Sequence, residues 1–269
     1  MPGNFIIVNV LQDNSQFVIH HLIRVSAISY LNSLPFGWCL EHSAIMEEIE
    51  LSYDIPSQCA DKLLADEADI GLIPVVELLR MPKHYMVSSL CIGAEDAVRT
   101  VVLASETPLN DISTIYLDSH SRTSVVLAKI LAKHYWKIKP EWIHFAGDII
   151  EYPRTGNSAA VVIGDKAFGL QLPYIYDLAV EWRKFTGLPF VFACWVANKS
   201  LDKGFVSRFN AAMAGLAGNM DAIVEYYRDK APAGVDLLDY WTNNISYPLT
   251  NEKREGMRLC LQYAREIQK

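Results

Sequence analysis

The stretch SAISYLNSLPF, residues 26–36, decides how the first part of the chain is organised. It begins as an apolar, β-prone run, turns at Asn32 and enters a short predicted helix at Pro35. A turn from a strand into a helix exposes side chains and backbone N–H groups at the carboxyl edge of a sheet, where open α/β folds bind ligands. Asn32 is therefore either the N-cap of the helix or a functional amide that donates and accepts hydrogen bonds.

Outward from this stretch, apolar strands alternate with amphipathic helices, which is typical of α/β proteins with parallel sheets. The predicted strands are 24–30, 50–55, 69–75, 85–92, 98–105, 114–118, 142–146, 159–163 and 190–197. Residues 175–186 are predicted as one helix that begins with an aromatic stretch, and the chain after residue 197 is predicted to be helical throughout. A helix is also predicted from Pro56, with Ser57 as its cap.

Terminal helices without a sheet of their own must pack back on the first α/β unit. We therefore predict a two-lobed α/β fold with a discontinuous first domain, residues 22–105 and 190–269. Residues 106–189 form an inserted second domain, and residues 1–21 form an N-terminal extension. The cleft between two such lobes is the expected ligand site.

Composition narrows the class of partner. The 269 residues carry a net charge of −7, which argues against a nucleic acid or an anionic membrane as partner and leaves small molecules open. The five cysteines are widely spaced, without a CxxC pair, as expected of reduced, buried thiols in the cytoplasm. Residues 1–21 make a poor signal peptide, and the scattered histidines predict no metal site. The oligomeric state is not readable from the sequence.

Polar residues cluster at the strand ends predicted to face the cleft. Residues 118–124, DSHSRTS, place small hydroxyl side chains at a helix start, a pattern that favours anion binding. Ser121 or Ser124 could instead only cap that helix. Arg99 could clamp a carboxylate or pair with Glu95 or Asp96. The candidate ligand-binding residues are Tyr30, Ser33, Arg99, Ser121, Arg122, Thr123, Ser124 and Asp165, with His120 as a less favoured base.

Six segments in order resemble the chorismate dehydratases of the futalosine route to menaquinone. They are ISYLNSLPF (28–36), ADIGLIPVVEL (68–78), CIGAEDAVRTVVLAS (91–105), LDSHSRTSVVLAKIL (117–131), VVIGDKAF (161–168) and YDLAVEWRKFTGLPFVFACWVA (176–197). This resemblance, over about residues 23–269, implies a type II periplasmic-binding-protein-like fold and loss of water from chorismate, without a cofactor, to give 3-[(1-carboxyvinyl)oxy]benzoate. The family's functional asparagine falls on Asn32, and its functional serine falls on Thr100. The two residues are expected to hold and polarise the departing hydroxyl.

Two other functions share this fold, because fold alone does not fix function. One is a non-catalytic solute-binding protein for a small carboxylate. The other is the 1,4-dihydroxy-6-naphthoate synthase of the same pathway, whose family resembles residues 29–36 and 117–124 much less. Formation of a new aromatic product from chorismate would separate a dehydratase from both.

Overall fold

Two mixed β-sheets organise the chain, whose computed structural model describes residues 21–267. Apart from His21, the predicted extension 1–21 lies outside the described residues. The strands are β1 (Ile23–Ile28), β2 (Ile49–Asp54), β3 (Ile70–Pro74), β4 (Tyr85–Ala94), β5 (Val101–Ser105), β6 (Thr114–Asp118), β7 (Glu141–Phe145), β8 (Ser158–Ile163), β9 (Tyr174–Asp177), β10 (Phe190–Ala197) and β11 (Ser246–Pro248). The first sheet has the order β11-β4-β10-β3-β1-β2, and the second has the order β7-β6-β8-β5-β9.

Helices cover the sheets and connect their strands. They are α1 (Leu34–Glu41), α2 (Pro56–Leu64), α3 (Thr123–Ile130), α4 (Leu178–Thr186), α5 (Lys203–Ala214), α6 (Met220–Tyr226), α7 (Leu237–Asp239) and α8 (Asn251–Ile267). Two of them continue as π-helices, α3 into Leu131–Trp136 and α7 into Tyr240–Asn244. Short 3-10 turns follow β1 at Leu31–Ser33 and β3 at Val75–Leu79. Pro56 stands at the start of α2, where its missing N–H costs nothing, and Ser57 does not cap that helix.

The two sheets define two lobes. The chain leaves the first sheet after Ala94, builds the whole second sheet, and returns to the first at Phe190. The predicted boundary at residue 105 is wrong by one strand, because β5 pairs with β8 and β9 in the second sheet. The uninterrupted apolar sequence of β5 predicts a buried strand but does not specify its partner strand.

The mixed strand directions differ from the predicted parallel sheets. β10 is antiparallel to β3 and β4, and β5 is antiparallel to both of its neighbours. The predicted helix 175–186 is a strand, β9, followed by α4, since the side chain of Asp177 accepts hydrogen bonds from the N–H groups of Ala179 and Val180 and starts the helix there. The C-terminal part is not helical throughout, because β11 pairs with β4.

Buried apolar side chains join the lobes. The larger cluster includes Leu72 of the first sheet and Leu103 of the second, while a smaller one lies on the opposite face of the second sheet around Val102. All five cysteines are buried and unpaired, as predicted. Burial raises the pKa of the Cys59 thiol to about 12, which keeps it protonated at neutral pH. Within residues 21–267, no helix is long and apolar enough to span a membrane.

Candidate functional site

A small cavity of about 50 Å³ lies between the lobes, where strand ends from both sheets meet. Its polar lining comes from Tyr30 and Asn32 in the first lobe and from Ser121, Thr123 and Ser124 in the second. The remaining lining residues are apolar or glycine: Ile28, Pro56, Pro74, Ile92, Val101, Ile163, Gly164, Phe192 and Ala193. Five of the ten residues that the sequence predicts for the site therefore line one cavity.

Asn32 lies in the 3-10 turn Leu31–Ser33, and it does not cap α1. The N-cap position belongs to Ser33, whose hydroxyl hydrogen bonds back to the carbonyl oxygens of Ile28 and Tyr30. The Oδ1 atom of Asn32 is buried and has no hydrogen-bond partner among the described residues. A buried amide oxygen without a partner is costly, which makes Asn32, a residue of the cavity lining, a candidate for contact with a ligand.

The backbone around Asn32 is held by hydrogen bonds from remote parts of the chain. The N–H of Leu31 donates to the Asp165 carboxylate at 3.0 Å across the cleft, and the indole Nε1 of Trp241 donates to the carbonyl oxygen of Leu31 at 2.8 Å. The hydroxyl of Tyr247 donates to the carbonyl oxygen of Asn32 at 3.1 Å. Burial raises the pKa of Asp165, although its hydrogen bond with Leu31 opposes this shift. These contacts hold the backbone of the turn in place.

The start of α3 faces Asn32 from the second lobe. The Ser121 hydroxyl accepts a hydrogen bond from the N–H of Ser124 at 3.2 Å, so the capping role expected of Ser121 or Ser124 falls to Ser121. Thr123 Oγ1 accepts from the N–H of Val76 at 3.5 Å, which joins this helix to the first lobe. Since α2 begins at Pro56 on the opposite wall, the N-terminal ends of two helices border the cavity. Their N–H groups and dipoles favour an anion there.

Tyr30 connects the cavity to a polar network in the second lobe. Its hydroxyl lies 3.1 Å from Nδ1 of His120, and the His120 backbone N–H donates to Asp118 at 3.0 Å. Asp118 also pairs with Lys166 at 2.7 Å. Burial, followed by the charges of Asp118 and Asp165, raises the pKa of Tyr30, so its phenol stays protonated and can donate.

The two candidate arginines do not line the cavity. Arg122 forms ion pairs with Asp61 at 2.7 Å and Glu77 at 3.0 Å, both in the first lobe, so its guanidinium joins the lobes. Arg99 has a left-handed backbone, with φ of 64°, and its N–H donates to Asp177 at 2.7 Å. Its guanidinium lies 3.6 Å from Asp239, in place of the expected Glu95 or Asp96.

Thr100 also lies outside the cavity lining. It is fully buried, and its hydroxyl is 2.8 Å from the hydroxyl of Tyr240 and 3.3 Å from the carbonyl oxygen of Val98. The expected direct contact of Thr100 with a departing hydroxyl is therefore absent from this conformation. The neighbouring Val101 lines the cavity instead.

Sequence reasoning missed the apolar walls and the residues that support the turn. Pro56 comes two residues after the end of β2, which was a usable signal, because strand ends were already expected to face the cleft. Phe192 gave no such signal, since every residue of β10 is apolar and buried. Trp241 and Tyr247 contact the turn from more than 200 positions away, a separation that local patterns do not bridge.

Comparison with known proteins agrees with this geometry. The pattern of a family described as menaquinone biosynthesis matches residues 23–266. A chorismate dehydratase from Campylobacter jejuni subsp. jejuni serotype O:23/36 is 29% identical over 191 residues, covering 68% of this chain and 71% of its own length. A chorismate dehydratase from Thermus thermophilus is 23% identical, covering 85% of this chain and 90% of its own.

Solved structures agree on the fold. Protein AF1704 from Archaeoglobus fulgidus superposes with a TM-score of 0.70 at 16% identity, covering 91% of this chain and 97% of its own. The Candida albicans CA3427 gene product, described as having the generic periplasmic binding protein fold, gives a TM-score of 0.63 at 11% identity, with coverage of 93% and 92%. The fold is therefore the predicted periplasmic-binding-protein-like one. Because the family pattern spans almost all of the described residues, the chain belongs to the menaquinone biosynthesis family.

Proposed function

We propose that this protein is a chorismate dehydratase, which converts chorismate to 3-[(1-carboxyvinyl)oxy]benzoate and water. The observation that carries the proposal is the unpartnered Oδ1 of Asn32, a residue that lines the interlobe cavity together with the start of α3. Both curated relatives named above are chorismate dehydratases. Five buried, unpaired cysteines favour a cytoplasmic location, where such thiols stay reduced.

The reaction needs little from the protein beyond orientation of the substrate. The ring carbon that bears the enolpyruvyl ether loses its proton, the neighbouring carbon loses hydroxide, and the electron pair of the broken C–H bond completes an aromatic ring. Hydroxide and proton leave together as water, so atoms and electrons balance without an oxidant or reductant. Orientation and hydrogen bonds to the departing oxygen can supply much of the rate acceleration for such a step.

The cavity lining indicates where the proton goes. Among the lining residues, all of them described, Tyr30 is the only titratable group, and the raised pKa of its phenol makes it a donor and not a base. We therefore assign the proton acceptor to a carboxylate of the substrate itself. In this proposal Asn32 holds the departing hydroxyl, and Ser121, Thr123 and Ser124 with the start of α3 hold a carboxylate.

The test is turnover of chorismate by the purified protein, followed in the ultraviolet and by chromatography of the aromatic product. Asn32→Ala should lower kcat by about 10²–10³-fold, because it removes a group that stabilises the transition state, with little change in melting temperature. Asn157→Ala, at an exposed position outside the cavity, is the matched control and should retain full activity. Binding of chorismate without product would indicate a solute-binding protein, and an Asn32→Ala variant with full turnover would remove Asn32 from the mechanism.

A further inference from the structure

A second pocket, larger than the interlobe cavity, lies at the far end of the α3 helix. It has a volume of about 320 Å³ and is lined by residues of α3, of its π-helical continuation Leu131–Trp136 and of the segment leading into β7. The two sites share no lining residue, and along the helix Ser124 of the cavity and Lys129 of the pocket are five positions apart, roughly 7.5 Å along the axis. The pocket is therefore distinct from the proposed active site.

Four lysines dominate this pocket: Lys129, Lys133, Lys137 and Lys139. None of them forms an ion pair with a carboxylate in the part of the chain that the structure describes, although the whole protein carries a net charge of −7. The chain takes a left-handed conformation at Lys137, with φ of 60°, which ends the helix and folds the next residues back along the pocket. Four like charges thus lie around one concavity, and none of them is in an ion pair within residues 21–267.

The interaction of lysines with the C-terminal end of a helix explains only two of these four residues. Cations near the last turn of a helix interact favourably with its dipole, which explains Lys133 and Lys137. Lys139 lies beyond the helix, and Lys129 extends its ammonium over the ring of Trp142, 5.6 Å from the ring centroid. Trp142 is half-buried and forms part of the pocket lining together with Ile138 and Pro140. The pocket thus combines four lysines with an apolar wall.

We propose that this pocket binds a di- or triphosphate group, either of free polyphosphate or of a nucleotide. Lysine ammonium groups are well suited to phosphate oxygens, which they contact as point charges. The volume is within the range of small-molecule sites, about 300–1,000 Å³. A nucleotide would add contact between its base and the Trp142 wall, since aromatic rings stack on bases without sequence preference. A phosphate chain would give these lysines the ion pairs that they do not form with the described residues.

The test is isothermal titration calorimetry of the full-length protein at low salt, with orthophosphate, tripolyphosphate and ATP as separate probes. We expect tripolyphosphate and ATP to bind, and orthophosphate to bind much more weakly. The double variant Lys133→Gln/Lys137→Gln should weaken tripolyphosphate binding at least about tenfold, because it removes two charge-assisted contacts. The matched control Lys83→Gln/Lys203→Gln removes the same charge at exposed positions outside the pocket and should change the affinity by less than about twofold.

Each outcome of these titrations either supports or contradicts the proposal. ATP binding that exceeds tripolyphosphate binding and falls to its level in Trp142→Phe identifies a nucleotide site. Equal binding of the two probes identifies a site for the phosphate chain alone, and both results support the proposal. The absence of binding to the wild-type protein would overturn it. So would an equal loss in the control variant, which indicates non-specific attraction, or equally tight binding of an oligo-glutamate peptide, which indicates an acidic partner.

Discussion

Thr100 and Tyr240 form a buried hydroxyl pair at the point where the chain crosses between the lobes. If Tyr240 donates to Thr100 Oγ1, the Thr100 proton is directed to the carbonyl oxygen of Val98, and both hydroxyl groups are satisfied. The reverse direction leaves the Tyr240 proton without an acceptor among the described residues. The Thr100 hydroxyl therefore donates its proton to the backbone carbonyl oxygen of Val98, which favours a positioning role for this residue.

Thr100→Val and Tyr240→Phe are therefore equivalent tests of the hydrogen bond between the two hydroxyl groups. Each variant should lower the free energy of unfolding by about 1–2 kcal/mol, because it leaves one buried hydroxyl group unpaired, and the double variant should lose less than the sum. Urea unfolding measures these values, and Thr100→Ser is the matched control that keeps the hydroxyl. A Thr100→Val enzyme with unchanged stability and a kcat reduced more than about 100-fold would instead assign Thr100 a direct catalytic role.

Asp69 gives the fold a predictable acid sensitivity. Burial alone would raise the pKa of Asp69, but hydrogen bonds and ion pairs with Arg24 at 2.7 Å and Lys199 outweigh it and hold the pKa well below 3.8. A carboxyl group whose pKa is lowered by folding stabilises the protein above its ordinary pKa and loses that contribution as the pH falls.

Asp69→Asn should therefore lower the free energy of unfolding at pH 7 by about 2 kcal/mol. The difference from wild type should shrink between about pH 5 and pH 2, because protonation removes the same charge from the wild-type protein. Urea unfolding over this pH range measures the effect, and the exposed Asp221→Asn is the control. A difference that stayed constant with pH would contradict this account of Asp69.

At the scale of elements, α8 closes the back of the first lobe through two close contacts. Lys253 is fully buried, and its ammonium donates to the carbonyl oxygens of Ser246 at 2.8 Å and Pro248 at 2.7 Å, which anchors β11. Gly256, one turn further along, packs against the carbonyl oxygen of Pro189, just before β10. The helix can approach the sheet this closely only because Gly256 has no side chain.

Gly256→Ala should destabilise the protein by about 1–3 kcal/mol, since the added methyl overlaps with the Pro189 carbonyl oxygen and forces α8 outward. Thermal or urea unfolding measures this loss. Gly218→Ala is the matched control, because a methyl there meets no atom within 4 Å. Equal stability of the two variants would show that α8 can shift without cost.

The elements also show how far the sequence could be read. β6 and β10 have the predicted bounds, because each is a continuous run of mostly strand-forming residues with turn residues beside it. β11 was missed because it is three residues long and depends on Lys253, whose charge in an amphipathic helix predicts an exposed position. The position of Asn32 at the cleft could be predicted from its strand-to-helix turn. The guanidinium of Arg122 could not, since its partners Asp61 and Glu77 are remote in sequence.

At the scale of the whole molecule, Arg122 forms two ion pairs across the cleft. The guanidinium pairs with the exposed carboxylate of Asp61 and with the buried carboxylate of Glu77. Without Arg122, Glu77 would keep only its ion pair with Arg80, which belongs to the first lobe. The hydrogen bond from Leu31 to Asp165 crosses the same gap. These contacts favour the closed arrangement of the lobes.

Arg122→Gln should shift the lobes towards a more open arrangement. We expect a larger radius of gyration by small-angle X-ray scattering and a KM for chorismate raised about tenfold, because closure then costs part of the binding energy. Arg208→Gln is the control, since Arg208 pairs with Glu48 inside the first lobe. An Arg122→Gln protein with wild-type dimensions and KM would show that the ion pairs do not hold the lobes together.

The cavity of about 50 Å³ can hold only a few water molecules. This volume is far below the range of about 300–1,000 Å³ typical of small-molecule sites, so the lobes must part further to hold a ring compound with two carboxylates. Every catalytic cycle must then include two passages through a parted state, one for admission and one for discharge. Raising solvent viscosity should slow steady-state turnover more than it slows a single chemical event on substrate already enclosed.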